Sequence, residues 1–172
     1  MTRQALPFFE NLNRSIRACL NSAIASLSET RQTHAYILKS GVCSDTLIST
    51  KLISQYANHR CFAEADLVLN SISEPSISSF SALIYALNKF NLFTQSLNVF
   101  SRMLSHGILP DTHVLPNVVK ACSKLSVFKL GREVHGFVCK CGFDSDSVVQ
   151  ASLVNMYLKS DRIRDARNVF ER

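Results

Sequence analysis

The sequence contains few of the residues that interrupt helices, since only five of its 172 residues are glycine and four are proline. This scarcity favours a helical chain over a turn-rich β fold. No apolar run reaches the roughly 18 residues that a membrane-spanning helix needs, so we expect no membrane partner. The six cysteines include no Cys-x-x-Cys pair, which argues against a zinc site and favours free thiols in a reduced compartment.

The residues that are present suit a folded, basic protein. A hydrophobic content of 47% is enough for a sizeable core. The net charge is +6, and the isoelectric point is near 9.1. A positive charge of this size permits an anionic partner such as nucleic acid without requiring one. Nothing in the sequence indicates a cofactor or a metal.

Residues 77–111 have the pattern of two amphipathic helices joined by a tight turn at residues 89–91. Apolar residues recur at helical spacing in each half: Phe80, Leu83, Ile84 and Leu87, then Leu97, Val99, Phe100, Met103 and Leu104. Gly107 allows the left-handed geometry that ends a helix, and Pro110 prevents the helix from continuing. Because one such hairpin cannot bury both apolar faces, the pattern predicts similar hairpins on either side.

The chain is similar to itself at an offset of 101 residues. Matched residues include His34 with His135, Lys39 with Lys140, Gly41 with Gly142, Asp45 with Asp146, Leu52 with Leu153 and Tyr56 with Tyr157. This offset is the sum of three units of 31, 35 and 35 residues. The sequence therefore predicts a leader at 1–10 and repeats at 11–45, 46–76, 77–111, 112–146 and 147–172, the last of them incomplete.

The leader has two interpretations. The N-terminus is basic and poor in acidic residues, as organelle transit segments are. Alternatively it is a very short presequence before a first repeat that begins at Asn11. At the other end, Arg172 falls in mid-helix, so we expect a C-terminally truncated form with a fraying last hairpin.

Within the repeat 46–76, helical spacing predicts which residues face inward. The first helix is expected to bury Leu47, Ile48, Leu52, Ile53 and Tyr56, and the second to bury Ala65, Leu67, Val68 and Ile72. We predict that His34, His135, Tyr56 and Tyr157 pack between helices.

Several motifs give the repeats a recognisable identity. Residues 107–111 read Gly-x-x-Pro-Asp, 120–122 read Lys-Ala-Cys, 131–135 read Gly-Arg-x-Val-His, 155–157 read Asn-Met-Tyr and 165–170 read Asp-Ala-Arg-x-Val-Phe. In this order they resemble the plant pentatricopeptide repeat proteins of the PLS subclass, which alternate long (L), short (S) and standard (P) repeats. The five repeats would then be of types L, S, P, L and S.

The resemblance implies an all-α fold, an α-solenoid of stacked antiparallel helix pairs forming a right-handed superhelix. It also implies sequence-specific binding of single-stranded RNA in a mitochondrion or chloroplast, as the specificity part of a C-to-U editing or RNA-processing factor. The zinc deaminase motifs His-x-Glu and Pro-Cys-x-x-Cys are absent from the sequence, so we expect no enzyme. Implied partners are organellar RNA, editing cofactor proteins and a deaminase acting in trans.

In this family the fifth and last residues of each repeat read one base. The resemblance assigns Asn13 with Asp45, Thr50 with Ser76, Ser81 with Asp111, Pro116 with Asp146, and Ala151 with a partner beyond the sequence. Ser81 with Asp111 resembles the guanine-preferring combination, whereas Thr50 with Ser76 matches no assigned base. Pro116 and Ala151 have no side-chain group that can form a hydrogen bond.

Each of these features has a plainer alternative. Asp45, Asp111 and Asp146 are good helix N-caps, which alone would explain them. Six scattered basic residues are either a phosphate track or a solvated face: Lys89, Lys120, Lys124, Lys129, Arg132 and Lys140. A helical-repeat scaffold for protein–protein interaction has the same fold and composition, and is the alternative function.

Overall fold

The computed structural model describes residues 26–40 and 45–171, and every regular element in these ranges is an α-helix. The helices are α1 (Leu27–Ser40), α2 (Thr46–Asn58), α3 (Phe62–Ser71), α4 (Ile77–Lys89), α5 (Phe93–Ser105), α6 (Val114–Leu125), α7 (Phe128–Cys141), α8 (Ser147–Lys159) and α9 (Ile163–Phe170). The predicted all-α fold is confirmed over these ranges. The leader predicted at 1–10 and the first part of the repeat predicted at 11–45 lie outside the described residues.

No helix within the described ranges has the length and apolar character needed to cross a bilayer.

Contacts divide the chain into two compact units, with the boundary between Leu83 and Ile84 inside α4. In the first unit, α2 packs against both α1 and α3. In the second unit, α6 packs against α5, α7 and α8, and α9 packs against α8. We call α2, α4, α6 and α8 first helices, and α3, α5, α7 and α9 second helices, after their order within each repeat.

Four turns between a first helix and the following second helix share one geometry. Each contains a non-glycine residue with positive φ: Arg60, Asn91, Ser126 and Asp161. The next residue in each turn donates its N–H to the carbonyl five positions earlier, for example Leu92 to Leu87 at 2.9 Å and Val127 to Cys122 at 3.0 Å. This bond is typical of a Schellman ending, which satisfies carbonyls that the helix leaves unpaired. The four residues are 31, 35 and 35 positions apart, the same intervals that the sequence repeat shows.

Gly107 and Gly142 have positive φ angles of 71° and 72° and follow two second helices. Glycine adopts this left-handed geometry without the steric cost that a Cβ atom imposes. Ile108 then donates to the Met103 carbonyl at 3.2 Å, and Phe143 donates to that of Val138 at 3.0 Å. The helix end predicted at Gly107 is therefore present.

The core of the second unit is centred on α6, because this helix has neighbours on three sides. Its buried face carries Val114, Leu115, Val118 and Val119, each with 0% of its surface exposed. Burying a leucine or valine side chain contributes about 1.5–3 kcal/mol. This face of α6 therefore supplies much of the unit's stability and fixes which side of the helix remains open.

Three residues of the predicted apolar faces point outward instead. Leu47 is 55% exposed, Leu67 is 67% exposed and Leu104 is 43% exposed. Leu47 and Leu67 each precede the residue that takes the buried position, Ile48 in α2 and Val68 in α3, and Leu104 follows the buried Met103 in α5. Because adjacent helical residues point about 100° apart, the leucine next to the buried stripe is turned away from it.

A histidine–tyrosine pair occurs twice, 101 residues apart. His34 Nδ1 lies 2.9 Å from the Tyr56 hydroxyl, and His135 Nδ1 lies 2.7 Å from that of Tyr157. The rings meet edge to face, with centroids 5.6 and 5.5 Å apart. Burial lowers the pKa of His34 and raises that of Tyr56, which favours neutral partners. The first pair joins α1 to α2 and the second joins α7 to α8, so the predicted packing between helices is confirmed.

The four described cysteines, Cys61, Cys122, Cys139 and Cys141, are free thiols, as predicted. Burial raises the pKa of Cys122 to about 11, so this thiol stays protonated at neutral pH and acts as a small apolar side chain. Cys19 and Cys43 lie outside the described residues.

Candidate nucleic-acid interface

A shallow groove of about 190 Å³ runs between α6 and α8. These helices are the first helices of two successive repeats in the second unit. The groove is lined by Pro116, Asn117, Lys120, Ser123, Ser152, Asn155, Met156 and Lys159. The ammonium groups of Lys120 and Lys159 are on exposed residues, and the amides and hydroxyls supply donors and acceptors between them. This lining suits a ligand that combines negative charge with hydrogen-bonding edges.

The side of the groove formed by α6 is fixed by hydrogen bonds to the buried Asn88 of α4. Asn88 Nδ2 donates to the Asn117 carbonyl at 2.8 Å, and Asn117 Nδ2 donates to the His113 carbonyl at 3.0 Å. Within the described part of the chain, Asn88 Oδ1 and Ser123 Oγ are buried without a hydrogen-bond partner. The Ser123 hydroxyl is enclosed by the protein, so it is not among the groups that the groove presents to a ligand.

Lysines recur in the last turns of three successive first helices. These residues are Lys89 in α4, Lys124 in α6 and Lys159 in α8, at intervals of 35 residues. A cation at a helix C-terminus interacts favourably with the helix dipole, which stabilises the helix by itself. Lys159 also lines the groove. Lys159 is not among the predicted site residues, although the sequence shows its 35-residue spacing from Lys124.

Other basic residues considered for a phosphate track lie elsewhere. Lys129, Arg132 and Lys140 are on α7, a second helix, and all three are exposed. The groove takes its lining from α6 and α8. Basic residues on first helices are therefore the better candidates for contacting an anionic ligand.

The structure places the predicted pair Pro116 and Asp146 in two different roles. Pro116 lines the groove. Asp146 caps α8, accepting through Oδ1 from the N–H groups of Val148 at 3.0 Å and Val149 at 2.9 Å. Ala151 is an exposed residue of α8.

The capping geometry of Asp146 recurs at the other repeat ends. Asp45 Oδ1 accepts from Leu47 N at 2.9 Å, and Asp111 Oδ1 accepts from Val114 N at 2.9 Å. Helix capping thus accounts for a carboxylate at these positions, as the plainer alternative held. At Asp111 and Asp146 these bonds are made by Oδ1 alone, so capping leaves Oδ2 able to accept a further hydrogen bond.

Replacing the cap measures its contribution. We expect Asp146→Ala to lower the free energy of unfolding by about 1 kcal/mol, because the first turn of α8 loses its acceptor. Asp146→Asn keeps an Oδ1 acceptor and should cost less. Urea denaturation followed by circular dichroism gives both values. Equal losses for Asn and Ala would contradict the capping role.

Thr50 and Ser76 are brought together through a third residue, Ser79. Thr50 Oγ1 lies 2.9 Å from Ser79 Oγ, which lies 3.2 Å from Ser76 Oγ. Ser79 is fully buried, while Thr50 and Ser76 are partly exposed. Nothing in the repeat pattern marks Ser79 as the bridge, so the sequence does not predict this link.

Three predicted base-reading residues remain: Ser81, Asp111 and Asn13. Ser81 is a partly exposed residue of α4 in the first unit, and Asp111 belongs to the second unit. Their pairing stays a prediction. Asn13 lies outside the described residues. The exposed apolar side chains of Leu47 and Val148 occupy the second position of their repeats.

A family model for the PPR repeat matches residues 78–108. Over these residues the chain is similar to a pentatricopeptide repeat. Pentatricopeptide repeat-containing protein At1g20230 of Arabidopsis thaliana is 53% identical over all of this chain, which spans 23% of that protein. Two other Arabidopsis thaliana relatives are At3g13770, named mitochondrial, at 28% identity, and At5g55740, named chloroplastic, at 36%. They match 95% and 84% of this chain, which spans 26% and 18% of their lengths.

Solved pentatricopeptide repeat structures have a similar fold. Maize PPR10 matches 84% of this chain and 21% of its own chain, with a TM-score of 0.64 at 24% identity. PPR10 in complex with an 18-nucleotide psaJ RNA element matches 93% of this chain and 26% of its own, with a TM-score of 0.59 at 21% identity. These likenesses support the all-α repeat fold.

Proposed function

We propose that this chain is a stretch of a PLS-subclass pentatricopeptide repeat protein that binds single-stranded RNA along its first helices. The match to a PPR repeat, and the similarity of the whole chain to 23% of a pentatricopeptide repeat-containing protein, support the family. The structural likeness to PPR10, which has been solved with an RNA element, supports the ligand. The chain spans about a quarter of the length of these relatives, so the proposal concerns only what these repeats contribute to RNA binding.

The observation that carries the proposal is the chemistry of the groove between α6 and α8. Two exposed lysines, Lys120 and Lys159, lie among amides and hydroxyls. The phosphates of RNA bind lysine ammonium groups, and the edges of unpaired bases form hydrogen bonds with amide and hydroxyl side chains. The groove also contains Pro116 and the buried Met156, apolar side chains of the kind that a protein partner would contact. The two lysines are therefore the feature that favours RNA over the alternative of a protein-interaction scaffold.

Base reading by the fifth and last residues is the finer part of the proposal. Partly exposed Thr50 and Ser76, joined through Ser79, support a reading pair in the first unit. In the second unit, Pro116 at the groove offers van der Waals contact without a hydrogen bond. Ser81 with Asp111 is proposed from the repeat frame alone, with guanine as the expected base. A well-paired base contact discriminates by about 1–3 kcal/mol.

The cellular role is proposed by similarity. Relatives named mitochondrial and chloroplastic support an organellar RNA target. Within the PLS subclass, the expected role is the specificity part of a C-to-U editing or RNA-processing factor. Any deamination would then come from a partner acting in trans or from another domain.

Binding of a labelled single-stranded RNA pool by the chain, measured by fluorescence anisotropy over a salt series, tests the function. We expect weak, micromolar binding because few repeats contact few bases. The logarithm of the binding constant should fall with the logarithm of salt concentration, by about 0.7 per phosphate contacted. Double-stranded RNA serves as the control and should bind less tightly. Equal binding of both forms, or no salt dependence, would argue against the proposal.

A further inference from the structure

A chain of hydroxyl groups links the fifth and last residues of the repeat at 46–76. Thr50 Oγ1 donates to the Thr46 carbonyl at 2.7 Å and also contacts Ser79 Oγ at 2.9 Å. Ser79 Oγ contacts Ser76 Oγ at 3.2 Å. Ser76 Oγ in addition accepts the N–H of Ser79 at 3.3 Å. The buried Ser79 is therefore the centre of a four-member chain that ends on a carbonyl.

The direction of this chain follows from one fixed donor. A carbonyl oxygen only accepts, so the single hydroxyl proton of Thr50 is used on Thr46. Thr50 must then accept from Ser79, which uses the proton of Ser79. Ser76 in turn must donate to Ser79. Every hydroxyl proton in the chain is consumed inside the protein.

This direction leaves both outer hydroxyls as acceptors. A hydroxyl oxygen has two lone pairs, and one is occupied on each of Thr50 and Ser76. Each retains one lone pair and no proton for a ligand. An aspartate, which ends the other repeats at Asp45, Asp111 and Asp146, also only accepts when ionised.

We propose that Ser79 makes Thr50 with Ser76 a guanine-selective reading pair, by turning both hydroxyls into hydrogen-bond acceptors. Guanine presents two neighbouring N–H donors, N1–H and the N2 amino group, on its Watson–Crick edge. Adenine and cytosine place an acceptor beside their amino group, and uracil places its single donor between two carbonyls. Ser79 is a positioning residue, since it acts through Thr50 and Ser76. The inference rests on the proposed RNA binding and extends it to a pair whose residue types match no assigned base.

In vitro selection from a randomised single-stranded RNA pool, using the full chain, tests this assignment. Thr50→Val removes the hydroxyl at nearly constant shape, so the position whose base preference it changes is the one that Thr50 reads. In the unsubstituted chain we expect guanine at that position, favoured about tenfold. Replacing this guanine by inosine, which lacks the N2 amino group, should weaken binding several-fold.

Ser79→Ala should relax the preference at this position, because the proton of Ser76 is then free to donate. Adding Ser76→Asp to Ser79→Ala supplies a permanent acceptor and should restore guanine. Ser71→Ala is the matched control, since its hydroxyl donates to the Val68 carbonyl in a second helix. It should leave every enriched position unchanged. Circular dichroism melts show that each variant is folded.

The outcomes separate the inference from the function it rests on. A Thr50-dependent position that prefers another base, or that keeps guanine in Ser79→Ala, overturns the inference while RNA binding stands. A pool in which no position is enriched by the folded chain contradicts sequence-specific RNA binding itself, and the inference falls with it.

Discussion

Replacing Lys120 and Lys159 together by alanine is expected to weaken binding to single-stranded RNA by about 10- to 30-fold near about 0.1 M salt. Both residues are exposed and line the groove between two successive first helices. Each lysine that contacts a phosphate of single-stranded RNA releases counterions. Each such contact adds about 0.7 to the steepness with which the logarithm of the binding constant falls with the logarithm of salt concentration. The double variant should therefore make this dependence shallower by about 1.4.

The matched control for this variant is Lys129→Ala with Lys140→Ala. It removes the same charge from the same unit, but from exposed positions on the second helix α7. If net charge alone attracts RNA, both double variants will lose affinity equally. A local interface predicts a clear loss for the groove variant and a small one for the control.

Leu115→Ala is expected to lower the free energy of unfolding by about 2–5 kcal/mol. Leu115 is 0% exposed in α6, the helix that packs against α5, α7 and α8. Truncation removes transfer free energy and leaves a cavity that three neighbouring helices cannot easily fill. Urea denaturation monitored by circular dichroism measures the change.

Leu109→Ala provides the comparison within the same unit, because Leu109 is 62% exposed. Its substitution should change the free energy of unfolding by about 0.5 kcal/mol or less. Similar losses for the two leucines would mean that α6 is not the centre of the core. Because stability in stacked repeats depends on neighbouring interfaces, the Leu115 variant should also weaken RNA binding.

Local patterns in the sequence predicted much of the fold. Apolar spacing and the helix end at Gly107 indicated the helix pairs. The offset of 101 residues matched His34 with His135 and Tyr56 with Tyr157, which are the residues that form the two histidine–tyrosine hydrogen bonds. These features depend on residues close in sequence or on repetition. Leu47 and Leu67 were wrongly assigned to the core, because periodicity fixes a helix face only to within one residue's rotation.

The candidate site was less predictable for a physical reason. The groove combines residues of α6 and α8, which belong to two successive repeats, and Lys159 becomes a candidate site residue only because it lines the same groove as Lys120. The direction of the hydroxyl chain depends on Thr50 donating to Thr46 while accepting from Ser79, 29 residues away. Residue types alone do not reveal which hydroxyl proton is already used.

Photo-crosslinking of bound RNA tests most directly whether the first helices form the RNA-binding face. A benzophenone amino acid at Asn155 would stand in the groove on α8, and one at Gly136 would stand on α7, where an added Cβ meets no atom within 4 Å. With a labelled single-stranded RNA pool, we expect strong crosslinking from position 155 and little from position 136. Crosslinking that is equal, or stronger from position 136, would contradict an RNA-binding face built from the first helices.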